Sequence, residues 1–139
     1  MKVVVDASVA VKWVIRDPLV EPYADKAVAI LRAMRTRHIQ VVAPQHWIVE
    51  VLAVIARKRP QRASIAVGIF ESLPFAVATG PRVLRRAAEL AVSLDHHLFD
   101  TLYHAVALEE GAALVTADRP YFDKARGIGN IELLEQFTI

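Results

Sequence analysis

Lys2-Val3-Val4-Val5-Asp6 near the start of the chain and Ala113-Leu114-Val115-Thr116-Ala117-Asp118 near its end share one pattern, a short apolar run without alternation that closes on an aspartate. A strand with one wet face alternates apolar and polar residues, whereas an unbroken run of this length belongs to a strand covered on both faces. Both aspartates then lie at the carboxyl edge of a parallel sheet, the edge at which open α/β sheets bind ligands.

The rest of the chain fits between these two strands. Ala7 to Ile15 reads as a helix. Pro22 to Arg35 carries Ala27, Ile30, Leu31 and Met34 at three- and four-residue spacing, which predicts an amphipathic helix. Gln40 to Ala43 is a second strand. Pro44 opens a helix that Pro60 stops after Arg59, and another covers Arg62 to Ser72. Phe75 to Ala78 is a short third strand ending in Thr79-Gly80-Pro81, followed by helices over Arg82 to Leu94 and Leu98 to Glu110, the latter closed by Gly111. Ala113 to Thr116 is the next strand, and Ile131 to Leu134 a last edge strand. Strands alternating with helices predict a three-layer α/β/α sandwich around a mainly parallel sheet.

With 139 residues, of which 55% are hydrophobic and 23% charged, the chain suits one folded domain over 1–139. It has no cysteine, which excludes disulfides, thiolate nucleophiles and cysteine-held zinc or iron–sulfur centres and fits a reducing, cytoplasmic setting. No apolar run approaches the ~18–20 residues of a membrane helix, and Asp6 interrupts any signal-peptide core, so neither a membrane nor export is expected. The formal net charge is only +2, but Arg57, Lys58, Arg59, Arg62, Arg82, Arg85 and Arg86 face the single acid Glu71 between positions 57 and 86. Such a segment either meets a polyanion or forms ordinary solvated helix faces. The mean hydropathy of +0.33 predicts a helix-mediated homodimer contact.

Four acids carry the chemistry. Asp6 and Asp118 each follow a buried-type strand, where the competing reading is a helix N-cap. Thr116, two residues before Asp118, points to the same side of its strand. Glu50 interrupts Trp47-Ile48-Val49 and Val51-Leu52-Ala53-Val54-Ile55, and a carboxylate so placed needs a cation, a hydrogen-bonding partner or a proton. A salt bridge to an arginine is the bland solution. Asp100 lies early in the helix from Leu98, where the helix dipole alone accommodates it. Together the four converge only around something cationic, because neighbouring carboxylates raise one another's pKa. Oxygen donors without cysteine suit Mg2+ or Mn2+, ions that bind phosphate oxygens and orient water.

At these residues the chain resembles the PIN-domain ribonucleases, and among them the VapC-type toxins of toxin–antitoxin pairs. The matching stretches are VVVDASVAVKW at 3–13, APQHWIVEVLAVIAR at 43–57, FDTLYHAVALEEGAALVTAD at 99–118 and RPYFDKA at 119–125. The resemblance implies a PIN-like fold, an acidic metal site of Asp6, Glu50, Asp100 and Asp118 with Ser8 and Thr116 beside it, and Mg2+- or Mn2+-dependent endonucleolytic cleavage of RNA. It also implies a homodimer neutralised by a small cognate antitoxin.

The chain departs from the pattern in places. Family members often carry Asn three residues after the helix glutamate, where this chain has Ala53, and a tyrosine commonly stands where it has Phe99. His97, Asp100 and His104 are spaced i, i+3, i+7 and share a helix face, which suits either a Mn2+- or Zn2+-leaning site or two partly exposed histidines. His38, His46 and His96 show no ligand spacing. Lys12 aims at the carboxylates or a phosphate, or is a surface lysine. Asp123 is a peripheral acid or part of a polar turn. Trp13 and Trp47, both in apolar segments, read as core or interface anchors.

The expected reaction is in-line attack of an activated water on an RNA phosphodiester. A phosphotransfer receiver needs an acid beside Asp6 and an Asp closing a middle strand, where this chain has Asp6-Ala7-Ser8 and Thr79-Gly80, and a haloacid-dehalogenase-like phosphatase needs an acid where Ser8 stands. The remaining alternative is a catalytically silent PIN-fold module that only binds RNA or a partner, which the Ala53 departure keeps open.

Overall fold

The computed structural model describes all 139 residues. Strands β1 (Lys2–Val5), β2 (Gln40–Pro44), β3 (Phe75–Ala78), β4 (Ala113–Thr116) and β5 (Ile131–Leu133) form one sheet in the order β3-β2-β1-β4-β5. Every neighbouring pair is parallel, with Val3 opposite both Val41 and Ala113, and Val5 opposite Val115. The sheet is thus wholly rather than mainly parallel. β1 is its middle strand, and Val3, Val4 and Val5 are fully buried, as their unalternating run requires. β3 and β5 are the edges, and β5 returns to alternation, with Ile131 and Leu133 buried and Glu132 exposed.

Seven helices connect the strands: α1 (Ala7–Ala10), α2 (Ala24–Arg35), α3 (Trp47–Lys58), α4 (Ala63–Glu71), α5 (Pro81–Leu94), α6 (Leu98–Glu110) and α7 (Arg119–Ala125). The chain steps outward from β1 to β3, then crosses back to β4 and continues to β5. Right-handed crossovers therefore place α1 to α4 on one face and α5 to α7 on the other. That reversal makes the gap between β1 and β4 the switch point of the sheet, where a crevice opens beyond the strands' carboxyl ends.

The expected helix from Ala7 to Ile15 is shorter than its pattern suggests. α1 ends at Ala10 and gives way to a tighter turn at Val11–Trp13. The segment from Val9 to Ile15 is buried throughout, so packing rather than periodicity sets its path, and the Trp13 indole donates to the Ala27 carbonyl at 2.8 Å. Pro44 ends β2 instead of opening α3. α7 is a helix where the sequence suggested a polar turn. The Asp118 carboxylate caps it by accepting the Tyr121 backbone N–H, and Pro120 stands in its first turn.

Both tryptophans are core residues. Trp13 and Trp47 meet edge-on at 5.9 Å, and Phe70 packs against both at 5.8 and 5.5 Å. No helix is long and apolar enough to cross a membrane.

Candidate functional site

Each of the four acids is delivered by a different element. Asp6 ends β1, Glu50 comes from α3 on one face, Asp100 from α6 on the other, and Asp118 follows β4. All four line one cleft of about 560 Å³ at the switch point, together with Ser8, Lys12, Arg57, Lys58 and Arg119.

The carboxylates are held in one consistent way. Asp6 Oδ2 accepts the Ser8 hydroxyl at 2.5 Å and the Thr116 hydroxyl at 3.0 Å. Those hydroxyls are themselves oriented, because the Ala117 amide donates to Ser8 Oγ and the Asp118 amide to Thr116 Oγ1, both at 3.0 Å. Glu50 Oε2 accepts the Tyr103 hydroxyl and lies 3.1 Å from His46 Nε2. Asp100 Oδ2 lies 2.7 Å from His96 Nε2, and Asp118 Oδ1 accepts the Tyr121 amide at 3.0 Å. In every case one oxygen is fixed and the other has no protein hydrogen bond: Asp6 Oδ1, Glu50 Oε1, Asp100 Oδ1 and Asp118 Oδ2.

No lysine or arginine lies within ion-pair distance of any of the four. Burial pushes the Asp6 carboxyl up from 3.8 to about 6; the Ser8 and Thr116 hydroxyls pull it down, and the charges of Asp100 and Glu50 push it further up. A pocket of mutually repelling carboxylates, each with a free oxygen, fits a divalent cation.

The neighbours of Glu50 answer the Ala53 departure. Ala53 is exposed on α3, and Tyr103 and His46 do the holding. Burial and the nearby carboxylates of Asp6 and Glu50 raise the Tyr103 pKa, so its hydroxyl keeps the proton it donates. Burial opposes charge on His46, but its bonds to Glu50 and to the Phe99 carbonyl, 2.9 Å away, carry its pKa above the ordinary value.

Other sequence expectations are corrected. Lys12 is not a surface lysine, and its ammonium does not reach the carboxylate group. It is 3% exposed and donates to Glu21 Oε2 at 2.9 Å, while Lys58 approaches Glu21 Oε1 at 3.3 Å. His104 is buried behind the site, its Nε2 donating to the Gly129 carbonyl at 2.8 Å and its Nδ1 accepting the Tyr121 hydroxyl at 2.9 Å. His97 is exposed, and Asp123 is exposed on α7 outside the cleft. Two other histidines do reach the acids: His46 lies against Glu50, and His96 has a ring nitrogen within 4.8 Å of carboxylate oxygens of Asp100 and Asp118. His96 precedes α6 and stands four residues before Asp100. His46 likewise stands four residues before Glu50, so an i, i+4 search from each acid finds both histidines that the sequence reading passed over. The basic stretch divides: Arg57 and Lys58 line the cleft, whereas Arg82 and Arg86 pair with Glu109 elsewhere.

A wholly parallel sheet with an acidic cleft at its switch point defines an α/β protein whose candidate site lies beyond the strands' carboxyl ends. The PIN domain family profile matches residues 3–128, and the chain belongs to that family, a family of nucleases. No curated protein matches it in sequence. Among solved structures it is similar to VapBC2 from Rickettsia felis bound to a DNA fragment from their promoter, with TM-score 0.67 and 18% identity over 96% of this chain and 97% of that one. It is also similar to PAE2754 from Pyrobaculum aerophilum, with TM-score 0.66 and 22% identity over 97% and 90%. At these identities the likeness is one of fold.

Proposed function

We propose that this PIN-domain chain is a metal-dependent endoribonuclease acting as the toxin of a toxin–antitoxin pair. The observation that carries the reading is the shared pattern of Asp6, Glu50, Asp100 and Asp118, each tied by one oxygen and open at the other. Such outer-shell bonds orient ligands before a metal arrives.

Asp6, Glu50, Asp100 and Asp118 would hold Mg2+ or Mn2+, which suit oxygen donors. When bound, the cation supplies positive charge against a phosphodiester's oxygens and acidifies a water. The chain's own contribution is positional. Ser8 and Thr116 keep Asp6 Oδ2 occupied, so Oδ1 faces the cleft. Tyr103 and His46 do the same for Glu50, and the α7 cap fixes Asp118. Arg57 and Lys58, exposed along the cleft, meet the RNA backbone through screened charge.

The likeness to VapBC2 supports a small cognate antitoxin as partner and a cytoplasmic place of action. Val49 on α3 and Ile65 on α4, 69% and 65% exposed, support a helix-mediated homodimer. Tyr103 holds Glu50 without help from residue 53, which supports the active reading over the silent module that Ala53 keeps open.

The test is incubation of the purified protein with a pool of structured RNAs, with Mg2+, Mn2+ or chelator, followed by mapping of new ends. Discrete cuts that need the metal and vanish in Asp6→Asn are expected. Cuts undiminished in that variant, or no cuts with either metal, overturn the reading.

A further inference from the structure

Asp100 is fixed by an imidazole alone, whereas Asp6 is fixed by hydroxyls, Asp118 by an amide, and Glu50 by a hydroxyl beside a second imidazole, His46. Hydroxyl and amide protons stay on their atoms at neutral pH, but a neutral imidazole can give up the proton on one nitrogen and carry it on the other. We propose that His96 Nε2, with Asp100 and Asp118, forms a nitrogen-containing metal position at one end of the acidic cleft, which takes a borderline divalent cation such as Mn2+ or Zn2+ in preference to Mg2+. The proposal rests on the reading of the cleft as a metal site and adds a ligand to it.

Three observations carry it. His96 Nε2, an Asp100 oxygen and an Asp118 oxygen all lie within 4.8 Å of one another, and Nε2 is 2.7 Å from Asp100 Oδ2. The imidazole is held in place by the Tyr121 ring, with centroids 4.8 Å apart, so its ordering cost is already met before binding. Its other nitrogen points outward: Nδ1 lies 3.3 Å from Nζ of Lys124, an exposed side chain that also donates to the Asp95 carbonyl at 2.9 Å.

The proton count closes. Lys124 donates to Nδ1, so in the metal-free protein Nε2 carries the hydrogen and donates it to Asp100. Ligation by Nε2 moves that hydrogen to Nδ1, the ring stays neutral, and Lys124 swings away into water. His46, the imidazole beside Glu50, cannot make the same exchange. Its Nε2 proton is shared with the Phe99 carbonyl, and its Nδ1 is buried without a partner to receive the displaced hydrogen. An imidazole nitrogen favours Mn2+ and Zn2+ over Mg2+, which keeps to oxygen and water.

The experiment is electron spin-echo spectroscopy of Mn2+ bound to the tag-free chain, read for nitrogen coupling, alongside Mn2+ and Mg2+ affinities. Wild type should show one coupled nitrogen. His96→Gln, which keeps a donor for Asp100, should still bind Mn2+ without the coupling, with Mn2+ affinity lowered by ~10-fold or more and Mg2+ affinity lowered much less. Lys124→Met, which frees Nδ1, should bind Mn2+ more tightly. Bound Mn2+ with no coupled nitrogen, coupling that persists in His96→Gln, or equal losses for both metals overturns the proposal and leaves the carboxylate site standing. Failure of wild type to bind Mn2+ overturns both.

Discussion

The Tyr103 hydroxyl on α6 donates to Glu50 Oε2 on α3, joining helices from opposite faces of the sheet at the mouth of the cleft. Tyr103 is fully buried, whereas the Glu50 side chain is one-third exposed, so the bond positions the acid more than it stabilises the fold. Tyr103→Phe keeps the ring and removes only the donor. We expect RNA cleavage to fall by ~10- to 100-fold, as for other lost outer-shell partners, with little change in melting temperature. Full activity in the variant would show that His46 alone suffices.

The strands, and with them Asp6 and Asp118, were legible because their signal is local. Val3 to Val5 and Ala113 to Thr116 are continuous apolar runs, and the residue after such a run must sit at the sheet's edge. Glu50 was legible because it breaks an apolar helix. What the sequence hid depends on contacts between distant segments. His96 comes near Asp118 from the turn before α6, Tyr121 reaches His104 from α7, and Lys12 finds Glu21 across a loop. Helical periodicity selected His97 and His104 instead, of which the first is exposed and the second committed to Gly129. α7 itself was readable, since Asp118 before Arg119-Pro120 is a cap followed by a first-turn proline.

The raised pKa of Asp6 couples metal uptake to protons. Its carboxyl titrates at about 6 in the folded chain against 3.8 for the free group, chiefly through burial. A raised acid favours the folded state while protonated, so the metal-free protein loses that contribution as pH rises from about 4 to about 6. A cation needs the carboxylate, so below about pH 6 binding expels a proton, and affinity should fall by up to about tenfold per pH unit. Calorimetric Mn2+ titrations between about pH 5 and pH 7, in buffers of different ionisation enthalpy, measure both effects. A flat affinity across that range would refute the coupling.

His104 makes an opposite contribution behind the site. Burial holds its pKa below 6.5, and in the neutral ring Nε2 donates to Gly129 while Nδ1 accepts from Tyr121. Protonation would put a donor against the Tyr121 hydroxyl's hydrogen. The unfolded chain therefore binds more protons just below pH 6.5, and stability should rise with pH through that window and be lost on acidification. His104→Phe removes this titration and leaves the Tyr121 hydroxyl without its partner, which costs about 1–3 kcal/mol. Melting temperatures of the two proteins between about pH 5 and pH 7 should converge at the acid end; parallel curves would exclude His104 as the source.

Lys12 is the residue whose role the structure changes most, and a pair of substitutions tests the change. Its ammonium and the Glu21 carboxylate are 3% and 8% exposed and 2.9 Å apart, so each is the other's principal compensation for leaving water. Removing Glu21 alone, as Glu21→Leu, strands a buried lysine and should cost about 3–5 kcal/mol. Lys12→Met alone should cost less, because Lys58 still faces Glu21 at 3.3 Å. The double variant Lys12→Met with Glu21→Leu replaces a buried ion pair by apolar side chains of similar volume, a change that is often neutral or stabilising. If Lys12 is structural, the double variant regains both its melting temperature and its cleavage of RNA. A double variant that folds as well as wild type yet cleaves no RNA would return Lys12 to the substrate, as the sequence first suggested.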